Sequence, residues 1–96
     1  MNNYNSTHVY NRINRRLQGL VTDNMVRYAL HIADIVGSGK YYVELAKLNR
    51  CIHLDCEGNI NGDVIVAVIK NNALCTIMLA KSWKIKTYFT DGKYVT

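Results

Sequence analysis

The sequence predicts an α+β fold: two N-terminal helices packed on one face of an antiparallel β-sheet of about four strands. Three observations predict it. Apolar residues recur at helical spacing from Val9 to Val36. Gly37-Ser38-Gly39 then breaks the rhythm. From Tyr41 onward the apolar residues form short β-branched and aromatic runs separated by Asn- and Gly-bearing turns. Helices first and strands after, in 96 residues without repeats or linkers, read as one domain over residues 1–96 with one core.

Residues 1–5 read as a flexible tail. Ser6 or Thr7 caps the first helix, where a side-chain oxygen satisfies an orphan backbone N–H. Val9, Ile13, Leu17 and Leu20 supply its apolar stripe, and Gly19 loosens its end. Thr22 is the second cap, and Asp23 places a negative charge at the positive end of the helix dipole. Met25, Tyr28, Ala29, Ile32, Ile35 and Val36 form the buried face of this second helix. Tyr41 to Leu48 reads as a strand, Arg50 to Asp55 as a weaker one, and Glu57 to Gly62 as a turn. Val64 to Ile69 is a continuous apolar run, as expected of a strand covered on both faces. Asn71-Asn72 is a two-residue hairpin connector, because Asn tolerates positive φ. Ala73 to Ala80 is its partner strand. An edge strand through Tyr88-Phe89 and a turn at Asp91-Gly92 lead to Tyr94-Val95.

Twelve Lys and Arg against seven Asp and Glu leave a formal charge of +5, which favours an anionic partner such as RNA or another nucleic acid, or an acidic protein. No apolar run reaches the roughly 18 residues of a membrane-spanning helix, and the polar N-terminus lacks the apolar core of a signal peptide. The expectation is a cytoplasmic protein with no membrane partner. Three cysteines do not suggest a disulfide framework. There is no phosphate-cradling Gly-rich loop, no nucleophile elbow and no nucleotide fingerprint, and Asp55, Glu57, Asp63 and Asp91 lack paired-carboxylate spacing.

His8, Arg12 and Arg16 are spaced four apart, so successive members rotate only about 40° around a helix and share one side. Arg15 adds a further cation. Guanidiniums hold phosphate bidentately, and an imidazole titrates near neutrality. The same stripe also reads as a plain solvated helix face.

The His8-Arg12-Arg16 stripe, the Thr22 cap, Gly39, the strand Asp63 to Ile69 and the late segment Cys75-Thr76-Ile77-Met78-Leu79-Ala80-Lys81-Ser82 occur in one order. In this the chain resembles the small phage and bacterial domains of the RelE-like toxin superfamily, whose wider fold includes barnase and the EndoU and colicin ribonucleases. It differs in a longer link at Leu17 to Val21 and in a Cys- and His-bearing segment at Asn49 to Ile60. The resemblance implies RNA binding and metal-independent endoribonuclease chemistry without a cofactor. His8 would be the acid or base, Arg12 and Arg16 would hold the phosphate, and Thr76 would face the first helix and bond the substrate. Arg12, Arg15, Arg16, Lys81 and Lys84 would form the nucleic-acid surface. The alternative is a non-catalytic accessory protein of a phage or bacterium that docks on a host protein, with strand addition at Tyr88-Phe89 as one route.

His31 sits beside the apolar stripe of the second helix and reads as a boundary residue. Tyr28, Tyr41 and Tyr42 read as core or rim, with base stacking beside Lys40 as the functional alternative. Cys51, His53 and Cys56 are the one metal-like cluster; zinc wants four such ligands, no second pair is present, and a zinc module would need Cys75 or His31 as the fourth. No metal is expected.

Overall fold

The computed structural model describes residue 17, residues 19–54 and residues 60–96. The tail 1–5, the body of the expected first helix with His8, Arg12, Arg15 and Arg16, and the segment from Asp55 through Cys56 to Asn59 lie outside these residues. The described chain runs helix α1 (Asp23–Ile35), strands β1 (Lys40–Leu54), β2 (Ile60–Lys70) and β3 (Ala73–Ala80), a 3-10 turn (Ser82–Lys84), a one-turn helix α2 (Ile85–Tyr88) and strand β4 (Lys93–Val95). The class is α+β. Among the described residues one helix, not two, precedes the sheet.

Thr22 caps α1 as expected, its Oγ1 accepting the Met25 N–H at 3.2 Å. Val36 ends the helix, and Gly37 follows with φ of +80°. The buried face is centred on Val26, Ala29 and Ala33, with Met25, Ile32 and Val36 packed at its margin. The expected face is thus rotated: Tyr28 and Ile35 are exposed. Two alanines at the centre let the helix backbone approach the sheet closely, and larger side chains fill the flanks. Leu17 and Val21 join the same core from the preceding segment.

The sheet order is β3-β2-β1-β4. In β2, every residue from Val64 to Ile69 is buried, because both faces of this central strand are covered. Ile65, Ala67 and Ile69 face α1 with Val43, Leu74, Ile77 and Leu79. Val64, Val66 and Val68 face a second core with Tyr42, Ala80, Ile85 and Phe89. The β2–β3 turn has Asn71 and Asn72 at φ of 51° and 68°, the paired positive values of a tight hairpin. Asn71 and Gly39 exchange two hydrogen bonds, and the Asn72 amide donates to the Ala33 carbonyl, so the turn is tied to both β1 and α1.

Four sequence expectations are corrected. The two strands expected at Tyr41 to Leu48 and Arg50 to Asp55 are one, because irregularities between Glu44 and Ala46 and between Lys47 and Ile52 absorb extra residues without ending the pairing. Gly62 lies in β2, not in a turn. Tyr88-Phe89 is not an edge strand: Tyr88 ends α2 and Phe89 is buried beneath it. The sheet is mixed, not antiparallel, since β4 pairs parallel to β1 at Tyr41–Lys93, Tyr42–Tyr94 and Val43–Val95. Parallel strands need a crossover. Residues 81–92 provide it, leaving β3 at one edge, crossing the second face of the sheet and entering β4 at the other edge.

Carboxylates pin both ends of this crossover. Asp63 accepts the Ser82 backbone N–H at 2.8 Å and the Ser82 hydroxyl at 2.9 Å. Asp91 accepts the Lys40 ammonium at 2.8 Å and the Tyr42 hydroxyl at 2.6 Å. The Tyr94 hydroxyl donates to Glu44. Asp63 is held below the usual carboxylate range chiefly by the Ser82 N–H, and Asp91 chiefly by the Lys40 ammonium. A carboxylate depressed in the folded state stabilises it above the ordinary value of 3.8, and that stabilisation is lost as pH falls through the lower folded value. A double Asp63→Asn, Asp91→Asn variant is therefore expected to be less stable than the parent at pH 7. Its stability should depend less steeply on pH below about 4, measured by urea unfolding across the acid range.

Candidate nucleic-acid interface

The crossover carries Lys81-Ser82-Trp83-Lys84-Ile85-Lys86-Thr87-Tyr88-Phe89-Thr90, a run without an acidic residue. Ile85 and Phe89 are four apart on its helical part and both point into the second core. Anchoring that side turns the other outward. Trp83 is 65% exposed and Tyr88 60%, in a protein that buries Tyr42 and Phe89. Lys86 is exposed, and Lys81 and Lys84 are half-buried. The Lys84 ammonium lies 5.5 Å from the centre of the Tyr88 ring and 3.4 Å from its hydroxyl. That contact restrains the ring and keeps a cation beside its face.

Beneath the exposed rings, Phe89 stacks on Tyr42 with centroids 4.1 Å apart and planes inclined by 13°. Tyr94 lies on a third ring position, 6.2 Å from Phe89. Burial, and then the Asp91 carboxylate, push the Tyr42 phenol above its ordinary value. Burial, and then Glu44, do the same for Tyr94. Both tyrosines therefore stay neutral and act as packing and hydrogen-bonding groups. Lys40 is held protonated by Asp91.

Between the end of β3 and α2 lies a groove of about 330 Å³. Met78, Ala80 and Phe89 give it an apolar lining, Tyr88 forms one wall, and Lys81 and Asn61 bring polar groups to it. The groove is placed by a close backbone approach. A Cβ on Gly62 would come within 2.3 Å of the Ala80 carbonyl oxygen, so only glycine lets the start of β2 lie against the end of β3 there.

Of the residues expected to act, Lys84 contacts Tyr88 and Lys81 lines the groove with Tyr88, and Trp83 is exposed on the same crossover. His8, Arg12, Arg15 and Arg16 lie outside the described residues. Thr76 lies in β3; the first helix, which it is expected to face, lies outside the described residues. Thr76 pairs with Val68, whose side chain belongs to the second core, whereas Leu17 and α1 pack on the opposite face. An irregularity between Val68 and Ile69 sets this register at the β3 end. Thr76 is in the same row as Met78 and Ala80, but about 17 Å along the strand from Lys81. His31 and His53 are exposed, Cys51 is half-buried and Cys75 exposed. Among the described residues no three His, Cys, Asp or Glu side chains are grouped to hold a metal ion. No helix among them is long and apolar enough to cross a membrane.

Sequence reading missed Trp83 and Tyr88. The available signal was the interleaving of three lysines with two aromatic residues and no acid. Reading Tyr88-Phe89 as a strand hid it, because a strand would have set the two residues on opposite faces of a sheet edge. No protein-family model, no curated protein and no solved structure matches the chain.

Proposed function

We propose that this protein binds RNA through unpaired nucleotides, using the outer surface of the crossover. The observation that carries the reading is the pair of exposed rings, Trp83 and Tyr88, set among Lys81, Lys84 and Lys86. Exposing two large aromatic side chains is unfavourable in water, at about 25 cal/mol per Å² of apolar surface. Each ring offers a sequence-tolerant face on which a base stacks, worth about 1–3 kcal/mol per base. The lysines supply the complementary term, attraction to phosphate with release of counterions, which makes binding depend on salt. The formal charge of +5 has the sign this requires. Sequence-specific proteins read RNA mainly at single-stranded loops and ends, where bases are free to stack.

Binding is separable from cleavage. Cleavage would ask His8 to move a proton at the attacking 2′-hydroxyl or the leaving 5′-oxygen. Binding rests on the exposed rings and lysines of the crossover, so it is the function the geometry supports best.

Trp83 is the chain's single tryptophan, so its intrinsic fluorescence reports stacking directly. A single-stranded RNA oligonucleotide is expected to quench it and to bind with an affinity that falls as salt rises. Trp83→Ala or Tyr88→Ala should weaken binding, followed by fluorescence anisotropy, about 5- to 100-fold each. A triple Lys81→Ala, Lys84→Ala, Lys86→Ala variant should flatten the salt dependence by two to three phosphate equivalents, roughly one per lysine. Binding that ignores both salt and Trp83 overturns the proposal.

A further inference from the structure

The groove beside α2 has a shape and chemistry of its own. We propose that it takes a single unstacked base from the strand bound outside it, so that one nucleotide position is read inside the protein while its neighbours stack on Trp83 and Tyr88. This rests on the RNA-binding reading above and specifies where one base goes.

Four features of the groove point to that occupant. Its volume, about 330 Å³, lies at the small end of the range for small-molecule sites. That leaves space for one nucleoside and no room for a folded element of a partner protein. Its lining is apolar where a base plane would lie: Met78, Ala80 and Phe89 come from the second core, and Tyr88 closes the side. Met78 is half-buried, and its flexible thioether adapts to a flat ring better than a branched side chain does. The polar groups match the two polar parts of a nucleotide. Lys81 is a cation where the backbone phosphate would leave the groove. Asn61 carries a carboxamide, which both donates and accepts, as the edge of a base does. Among the described residues no hydrogen bond engages that carboxamide. Finally, Gly62 holds Asn61 in place, since the contact of its backbone with Ala80 tolerates no side chain.

Charge selects a nucleic acid over an apolar peptide as the occupant. Lys81 is at the groove, Lys84 and Lys86 follow within the same crossover, and the Asp63 carboxylate is already engaged by Ser82 and lies in the field of Lys47. An apolar peptide would leave Lys81 and Asn61 desolvated without partners.

Two single-stranded RNA decamers test this, one intact and one with the same backbone carrying abasic sites in its central four positions. The full chain is labelled at its methionine methyl groups and followed by NMR. The Met78 methyl is expected to shift on adding the intact decamer and to stay in place with the abasic one. Met25, on the opposite side of the sheet, should shift with neither. Asn61→Ala should weaken binding of the intact decamer about tenfold and leave the abasic one unchanged. An unchanged thermal melt shows that the variant is folded, and the wild-type methyl spectrum is a readout free of any folding defect. If Trp83→Ala still weakens binding while the Met78 methyl ignores the intact decamer, the groove inference is overturned and the surface reading survives. If neither decamer binds, both are overturned.

Discussion

Phe89→Ala is expected to destabilise the protein by about 3 kcal/mol, at the lower end for a buried Phe-to-Ala change. Phe89 is only 9% exposed, stacks on Tyr42 and lies 6.2 Å from the ring of Tyr94. Its removal leaves a space bounded by two aromatic faces and the valines of β2, none of which can collapse into it without leaving the sheet. The adjoining groove lets water reach part of that space, which keeps the cost below the upper end of the range. For a chain of this size, about 4–8 °C of melting temperature per kcal/mol turns this into a drop of roughly 12–24 °C, measurable by scanning calorimetry. Phe89→Leu should cost much less, about 1–1.5 kcal/mol, because most of the volume is kept. The effect should extend to binding. Phe89 anchors the crossover from inside, and a crossover that detaches no longer presents Trp83 and Tyr88 together. RNA affinity measured below the melting transition is therefore expected to fall for Phe89→Ala and to be nearly retained for Phe89→Leu.

Gly62→Ala is expected to cost about 2–3 kcal/mol, the overpacking range, although the substitution adds a single methyl group. The new Cβ would stand 2.3 to 2.6 Å from the Ala80 oxygen, carbonyl carbon and nitrogen. All three are backbone atoms, so no side chain can turn aside, and β2 or β3 must move. Gly19→Ala is the contrasting control. Nothing lies within 4 Å of a Cβ there, and the strain comes only from a φ of +81°. That variant should lose about 1 kcal/mol. Urea midpoints for the two variants test the ordering, and equal midpoints would show that β2 does not approach β3 as closely as described. Because Gly62 also places Asn61, its alanine variant should lose discrimination between base-bearing and abasic RNA.

The same comparison shows why part of the fold was legible in the sequence and part was not. Thr22 before an apolar rhythm, and Gly37 after it, are local signals that act through a few neighbouring hydrogen bonds, and α1 begins and ends where they say. Six consecutive apolar residues in β2 announce burial on both faces, and Asn71-Asn72 announces a tight turn. Gly62 and Gly19 carry no such difference in their neighbours. One is constrained by a strand eighteen residues away and the other only by its own dihedral angle. Asn49 and Arg50 likewise look like an interruption, yet β1 runs through them because the irregular pairing with β2 accommodates them.

The candidate site divides in the same way. Lys81 and Lys84 were legible as cations near the end of a strand. Their value depends on Trp83 and Tyr88 being turned outward, and that orientation follows from Ile85 and Phe89 entering the second core. Thr76 is expected by resemblance to face the first helix, which lies outside the described residues. Its face in the sheet is set by its partner, Val68, and by the irregularity beside it. A shift of one residue in register exchanges the two faces of a strand, so sequence pattern alone decides poorly for a strand with apolar residues on both sides.

The sequence by itself determined the α+β class, the capped helix α1, the doubly covered strand β2 and the Asn-Asn hairpin, because each depends on groups within one or two turns of chain. Only the tertiary structure decided the mixed sheet, the helical crossover and the outward-facing Trp83 and Tyr88. Those follow from bonds such as Lys40 and Tyr42 to Asp91, which join residues 51 and 49 positions apart. Nothing in either segment alone records the partner, and the free energy that selects the arrangement exists only once the crossover lies across the sheet.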